Sequence, residues 1–254
     1  MRPWTVAAGG GTLRAVSTPT ALHVLDNPAW GSLTGVHAEF AEGTGGARRY
    51  RADVSPITAI KDLSDPQAWA DLAALIGPDT PVMVPGAGVV PAGWTELGRF
   101  AGVQMVATDA LQDAPDDEAV LLGAADASEM LALVARTQPG PFEAETYRLG
   151  TYLGIRREGA LVAMAGERQH PPGFTEISAV CTDANYRGQG LAGRLVRAVA
   201  AGIRARGETP FLHASAANTS AIRLYESLGF ELRRSVEFVA LRTPTADATA
   251  ARPS

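Results

Sequence analysis

The sequence predicts a mixed α/β protein of two units, and three observations lead to this fold class. The chain has 254 residues, a length typical of one or two domains. Its hydrophobic share of 46% and charged share of 19% are those of a globular protein. Strand-like and helix-like segments follow each other from residue 119 to residue 241, and the acidic stretch Asp113–Glu118 before them is the predicted boundary.

The first unit, residues 1–118, shows a mixed order of elements. Apolar and polar residues predict strands over Ser32–Phe40 and Ala47–Val54, and a helix over Pro66–Ile76 that Asp65 opens. Short apolar runs predict strands at Pro81–Val84 and Val103–Ala107, and a loop rich in glycine and proline lies at 85–93. We therefore expect a small mixed α/β domain.

The second unit, residues 119–243, has clearer signals. Its predicted strands are Ala119–Leu122, Tyr152–Arg156, Leu161–Glu167, Phe174–Thr182, Pro210–Ser215 and Phe230–Leu241. Its predicted helices are Ala127–Arg136, Leu191–Arg206 and Asn218–Leu228, with a further helical turn at Thr146–Leu149. Glycines follow the last two helices, as is usual at helix ends. Residues 244–254 are expected to be a disordered tail.

Composition narrows the class of protein. The single cysteine, Cys181, excludes an internal disulfide, and no Cys/His cluster has zinc-site spacing, so a cytoplasmic protein without metal is expected. The chain has no run of about 18 apolar residues that would cross a membrane, and its Gly9–Gly11 run is unlike a signal peptide. The first 118 residues carry seven basic and 14 acidic side chains and the rest 15 and 13, which places an anionic ligand in the second unit. Neither nucleic acid nor a membrane is expected as a partner, and the apolar pattern does not predict an oligomeric state.

The segment Val180–Ala192 carries the clearest chemical signal, because it joins a strand to a helix through a glycine-rich turn. Free backbone N–H groups at a helix start bind phosphate, and Gly188 and Gly190 let the backbone approach such a group. The segment lacks the Lys-Ser or Lys-Thr of a Walker motif, and Gly193 breaks the G-x-G-x-x-G spacing of a dinucleotide fold. Both nucleotide alternatives are therefore disfavoured.

Two motifs together resemble the GNAT superfamily of acyl-CoA-dependent N-acyltransferases. Arg187, Gly190 and Ala192 match its R-x-x-G-x-A signature. The segment Asn218–Phe230 matches its second motif, N-x-x-A-x-x-L-Y-x-x-x-G-F. The resemblance covers about the second half of the chain. Within the superfamily, the chain is most similar to the glycine N-acyltransferase-like branch. It implies a mixed, mostly antiparallel sheet flanked by helices, and it raises the hypothesis that the first unit is a degenerate copy of the same fold.

The resemblance implies an N-acetyltransferase that uses acetyl-CoA, or another acyl-CoA, and acts on an amine of a small molecule or peptide by direct attack in a ternary complex. The cosubstrate would be held by Val180, Cys181, Thr182, Arg187, Gly188, Gln189, Gly190, Leu191, Ala192, Asn218 and Tyr225. Tyr225 would also donate a proton to the CoA thiolate. Glu176 is the candidate general base, since it shares strand parity with Val180 unless a bulge intervenes, and His170 is a second choice.

Simpler structural interpretations stay open for several of these residues. Tyr225 also fits a core aromatic at helical spacing, and Asn218 also fits a helix N-cap. Glu176 fits a surface carboxylate equally well. His213 has no partner at motif spacing and is expected to be a structural or surface histidine. For the whole chain, the alternative to an enzyme is a non-catalytic acyl-CoA-binding regulatory module.

Overall fold

A computed structural model describes residues 23–246 and shows five α-helices and eleven strands in that range. In chain order the elements are α1 (Pro28–Leu33), β1 (Ala41–Glu42), β2 (Ala47–Tyr50), β3 (Thr58–Ile60), α2 (Pro66–Ile76), β4 (Pro81–Pro85), β5 (Thr95–Ala107), β6 (Val120–Leu122), α3 (Ala127–Thr137), β7 (Tyr152–Arg157), β8 (Ala160–Glu167), β9 (Phe174–Thr182), α4 (Leu191–Ala205), β10 (Thr209–Ser215), α5 (Thr219–Leu228) and β11 (Phe230–Arg242). The predicted elements of residues 119–243 are confirmed to within a few residues.

Eight strands form one large sheet in the order β4-β11-β5-β10-β9-β8-β7-β6. All neighbouring pairs are antiparallel except β9 and β10, which run parallel. The predicted mixed, mostly antiparallel sheet flanked by helices is therefore confirmed.

Helices cover both faces of this sheet. On one face, α4 and α5 share a core with β5, β8, β9 and β10. The periodic residues Leu191, Leu195, Val199 and Ile203 of α4 are at most 2% exposed, and each buried aliphatic side chain contributes about 1.5–3 kcal/mol to folding. On the other face, α3 packs on β7, β8 and β9 through Met130 and Leu133.

The N-terminal residues form a smaller, separate sheet. Strands β1, β2 and β3 pair antiparallel, and α2 packs on them through Trp69 and Leu72. The same core includes Val239 and Leu241 of β11, so the small sheet and the large one share apolar contacts.

The predicted boundary at residue 118 falls inside the large sheet. Strands β4 and β5 precede that boundary, yet β5 lies between β10 and β11, and β4 forms the outer edge beyond β11. Residues 23–118 thus combine a three-stranded sheet with two strands of the other unit. This topology gives no support to the hypothesis of a degenerate second copy.

Two expectations for the first unit are wrong. The strand predicted at Ser32–Phe40 is instead α1 followed by turns, because Pro28 sits at the first helical position and the Asn27 side chain accepts from the Trp30 N–H at 3.3 Å. The strand predicted to begin at Val103 begins eight residues earlier, at Thr95. Most side chains in these added residues are exposed, so the alternation of apolar and polar residues that indicates a strand is missing there. Strands β1 and β3 were not predicted, and the strand predicted over Ala47–Val54 ends at Tyr50.

The Gly9–Gly11 run and residues 247–254 of the predicted tail lie outside the described residues. Within residues 23–246, none of the helices has the length and apolar character needed to cross a membrane.

Candidate active site

The parallel strands β9 and β10 separate part-way along their length. Their paired residues run from Phe174 and Thr209 to Ile177 and Leu212. Beyond that last pair, β10 stays paired with β5 and β9 stays paired with β8, but the two are no longer paired with each other. We call this opening the fork. Among residues 23–246, no strand pairs with the backbone groups of β9 that face the fork.

A β-bulge in β9 lies directly beside the fork. Ser178 pairs with Gly166 and Cys181 pairs with Met164, so Ala179 and Val180 together oppose one residue of β8. Ala179 has φ +52°, a left-handed conformation that is uncommon for a residue with a side chain. A bulge reverses the alternation of faces along a strand.

Because of this bulge, Ile177 and Val180 both pack in the core beneath α4, whereas Cys181 packs against α3. Glu176 therefore does not share a face with Val180. The strand parity used to select Glu176 is wrong, and the bulge is the physical reason.

The glycine turn follows β9 and ends at α4. Gly188 and Gly190 have φ +79° and +74°, which glycine adopts without strain. A Cβ atom at either position would meet no protein atom within 4 Å, so these glycines face open space. Within residues 23–246, the backbone N–H groups of Gly188–Gly190 donate to no protein acceptor. Leu191 and Ala192 add the free N–H groups of the first helical turn.

The turn is held in place by hydrogen bonds at its base. The Arg187 Nε donates to the carbonyl oxygen of Thr182 at 3.4 Å, and the Asp183 carboxylate accepts from Arg136 of α3 at 3.0 Å. Gln189 is exposed. The open N–H groups, the missing Cβ atoms and the helix dipole together make a site that fits a phosphate or pyrophosphate group.

Helix α5 lies beside the start of α4. Asn218 is exposed and caps α5, since its Oδ1 accepts from the Ala221 N–H at 3.1 Å. The structural interpretation of Asn218 is thus confirmed. In the described part of the chain, its amide NH2 group donates to no other residue. A Cβ at Gly193 of α4 would lie 3.6 Å from Leu224 and 3.7 Å from Leu228, which shows how closely the two helices approach.

Tyr225 is a buried residue of α5 that packs edge-on against Phe230. Its hydroxyl forms no hydrogen bond with any other residue of the described range. Burial, with a smaller contribution from Cys181, raises the pKa of Tyr225 to about 12. The phenol therefore stays protonated at neutral pH and can donate a hydrogen bond.

Cys181 is also buried, and burial raises the pKa of its thiol to about 11. A thiol in this state is a poor nucleophile, because the thiolate is the reactive form. This burial gives the side chain no role as a nucleophile.

The candidate base Glu176 is completely buried and fully engaged. Arg168 donates to both carboxylate oxygens, at 2.9 and 2.7 Å, and His213 lies 2.8 Å from one of them. Burial opposes ionisation of the carboxyl, but Arg168 and His213 outweigh it and lower the pKa of Glu176 to about 2. A carboxylate this acidic and this enclosed does not suit a general base.

His170, the second candidate, lies near His37, with ring centroids 4.9 Å apart. Burial lowers the pKa of His170. Its Nδ1 contacts Thr175 at 3.3 Å, near the first residues of β9, while the glycine turn follows the last residue of that strand. The structure therefore does not bring His170 to the glycine turn.

Sequence reasoning missed the partners of Glu176. His213 was expected to be a structural or surface histidine, and its contacts agree with a structural role. Its carboxylate partner, Glu176, lies on a different strand. Chain spacing cannot show such a pair. The parallel register, in which Phe211 lies opposite Glu176, is the signal that would have found it.

Comparisons with known proteins agree with this geometry. The FR47-like protein family matches residues 152–239, which span β7 to β11. A crystal structure assigned to the GNAT family of acetyltransferases, from Novosphingobium aromaticivorans, is 42% identical with a TM-score of 0.80 and covers 88% of this chain and 100% of that one.

Two curated relatives are similar over shorter stretches. The N-alpha-acetyltransferase RimI of Mycobacterium tuberculosis is 33% identical over 130 residues, which are 46% of this chain and 81% of the relative. A mycothiol acetyltransferase of Corynebacterium glutamicum is 34% identical over 94 residues, which are 37% of this chain and 32% of that protein.

These relatives are acetyltransferases, so they favour an enzyme over the alternative of a non-catalytic binding module. They do not support the narrower expectation of a glycine N-acyltransferase-like branch. The shared sequence, the fork and the glycine turn lead to one conclusion: this chain belongs to the GNAT family of N-acetyltransferases, which transfer an acetyl group from acetyl-CoA to an amine.

Proposed function

We propose that acetyl-CoA binds across the fork and the glycine turn, and that an amine on a peptide or small molecule attacks the thioester directly. The observation that carries this proposal is the adjacency of the two features. The β9 edge beyond Ile177 offers unpaired backbone groups, and the turn that follows it offers free N–H groups beside a helix N-terminus.

The proposal assigns a role to each residue that was predicted to bind the cosubstrate. The backbone of Val180, Cys181 and Thr182 lines the fork and faces the pantetheine arm. The turn from Arg187 to Ala192, with Gly188, Gln189, Gly190 and Leu191, holds the pyrophosphate. Asn218 and Tyr225 approach from α5.

The reaction forms a bond between the amine nitrogen and the acetyl carbonyl carbon and breaks the carbon–sulfur bond. Backbone N–H groups beside the bulge stabilise the charge that develops on the carbonyl oxygen. Tyr225 donates to the departing thiolate, because its phenol stays protonated at neutral pH. Most of the rate enhancement then comes from holding the amine against the thioester.

The amine must lose a proton before it attacks. Neither Glu176 nor His170 is placed to accept it, so we assign this proton to solvent. The names of the relatives favour an α-amino group or the amine of a small thiol compound as the acceptor.

A matched pair of glycine variants tests the cosubstrate site. Gly190 is the N-cap residue before α4, with φ +74°, and Gly207 follows the same helix with φ +77°. A Cβ at either position meets open space. Replacing either by valine introduces a similar strain, of about 1–2 kcal/mol or more. Only Gly190→Val puts a side chain into the phosphate site.

Calorimetric titration with acetyl-CoA is the measurement. We expect Gly190→Val to weaken binding at least about tenfold, which corresponds to about 1.4 kcal/mol, and Gly207→Val to bind like the wild type. Equal binding by both folded variants, or no binding by the wild type, would refute the proposed site. Release of free CoA on addition of amines then identifies the acceptor.

A further inference from the structure

A row of hydrogen-bonded side chains crosses the large sheet at the fork. Arg168, in the connection between β8 and β9, donates hydrogen bonds to both carboxylate oxygens of Glu176 on β9. The Nδ1 of His213 on β10 lies 2.8 Å from Glu176 Oε1, and its Nε2 lies 3.1 Å from the side-chain nitrogen of Gln104 on β5. The row therefore adds side-chain links between β9, β10 and β5 to the backbone pairing of these strands.

These side chains lie on the face opposite α4. Ile177, Leu212 and Met105 belong to the core beneath α4. Glu176 and Gln104 are their chain neighbours, and neighbouring side chains in a strand point to opposite faces. Within this row Glu176 is 0% and Gln104 1% exposed, so the links are shielded from water.

The hydrogen-bond partners of Gln104 determine which ring nitrogen of His213 accepts a hydrogen bond. The Gln104 Oε1 accepts from Arg233 at 2.7 Å, and its Nε2 donates to the Leu25 carbonyl oxygen at 2.8 Å. The amide NH2 group therefore faces His213, whose Nε2 must accept. The imidazole proton is then on Nδ1, which donates to Glu176.

The position of this bond matters more than its strength. Glu176 precedes the last residue of β9 that pairs with β10, and His213 follows the last residue of β10 that pairs with β9. The Glu176–His213 bond thus crosses the sheet diagonally over the final backbone pair. Arg168 holds Glu176 on the β9 side, and Gln104 holds His213 on the β10 side.

We propose that the Glu176–His213 hydrogen bond is a brace that sets where β9 and β10 separate. It thereby fixes the position at which the acetyl-CoA thioester binds. Both residues are positioning residues in this proposal, which rests on the proposed function. Neither takes a proton from the amine, since both oxygens of Glu176 are engaged and the Nε2 of His213 accepts from Gln104.

Variants of His213 test the brace. His213→Leu removes the donor to Glu176, whereas His213→Asn keeps an N–H donor at the position of Nδ1. The matched control is His37→Leu, which removes another buried imidazole with two hydrogen bonds, to Tyr50 and to the Leu149 carbonyl oxygen. It serves as the control because neither of its partners lies on β9 or β10.

Acetyl-CoA affinity is measured by calorimetry at a temperature where circular dichroism shows each variant to be folded. We expect His213→Leu to raise the Kd at least about tenfold, and His213→Asn and His37→Leu to stay within about threefold of the wild type. If His213→Leu does not fold, His213→Thr, a smaller β-branched residue that cannot reach Glu176, takes its place.

Glu176→Gln separates the brace from a base. Glutamine does not accept the amine proton, and its NH2 group faces an N–H donor of Arg168 or His213, so one hydrogen bond of the row is lost. The brace therefore requires a raised Kd for acetyl-CoA, whereas a base requires a large loss of kcat, once an acceptor is known, at an unchanged Kd for acetyl-CoA. Wild-type affinity in folded His213→Leu, or an equal loss in His37→Leu, would overturn the brace. Absence of binding in the wild type would instead refute the proposed function.

Discussion

Acidification should destabilise this protein through His37. This imidazole is 3% exposed and lies between the Tyr50 hydroxyl at 2.9 Å and the Leu149 carbonyl oxygen at 3.0 Å. A carbonyl only accepts, so Nε2 carries the proton and Nδ1 accepts from Tyr50. Burial, with a smaller contribution from His170, lowers the pKa of His37 to about 4.

The sign of the effect follows from proton binding. The unfolded chain protonates this histidine below about pH 6.5, and the folded protein only below about pH 4, so acid favours unfolding between these values. The free energy of unfolding should therefore fall through this residue by about 2 kcal/mol between pH 7 and pH 5, and by about 3 kcal/mol at pH 4.

Urea denaturation followed by circular dichroism at pH 7, 6 and 5 measures this loss. His37→Leu cannot titrate, so its free energy of unfolding should fall by about 2 kcal/mol less than that of the wild type between pH 7 and pH 5. The variant is less stable at pH 7, since Tyr50 and Leu149 lose a partner, but only the pH dependence is compared. Equal losses in both proteins, within about 0.5 kcal/mol, would refute the reasoning.

Two further predictions concern the site. Tyr225→Phe should lower kcat at least about tenfold and leave the acetyl-CoA Kd, measured by calorimetry, within about twofold of the wild type. The reason is that the hydroxyl makes no hydrogen bond with the other described residues. A loss of affinity as large as the loss of kcat would contradict the acid role. Ala179→Gly should leave the melting temperature unchanged or raise it, because alanine at φ +52° carries a strain of about 1 kcal/mol that glycine does not. Ala179→Val should lower both the melting temperature and the affinity for acetyl-CoA. A lower melting temperature for Ala179→Gly than for Ala179→Val would contradict this account of the bulge.

Local patterns were sufficient to predict much of the second unit. The period of Leu191, Leu195, Val199 and Ile203 predicted α4 because a helix brings every third or fourth residue to one face. Gly190 and Gly207 were recognisable as helix boundaries because few other residues adopt a positive φ. These signals depend on residues close together in the chain, so the sequence shows them directly.

What the tertiary structure decided involves residues far apart in the chain. Strand β5 lies between β10 and β11, so the large sheet includes strands from both sides of the boundary predicted at residue 118. The first half of β5 pairs with β11 along one edge, and β10 pairs only with Gly102–Val106. Its side chains are mostly exposed, so the sequence shows no alternation of buried and exposed residues there.

Glu176 shows the same division at the site. The sequence by itself placed a carboxylate in the predicted strand that leads to the glycine turn. Only the tertiary structure placed Arg168 and His213 on that carboxylate and so made it a buried, ionised partner instead of a base. The physical reason is that the pKa of a side chain depends on burial and on charges brought from other strands, and chain spacing specifies neither.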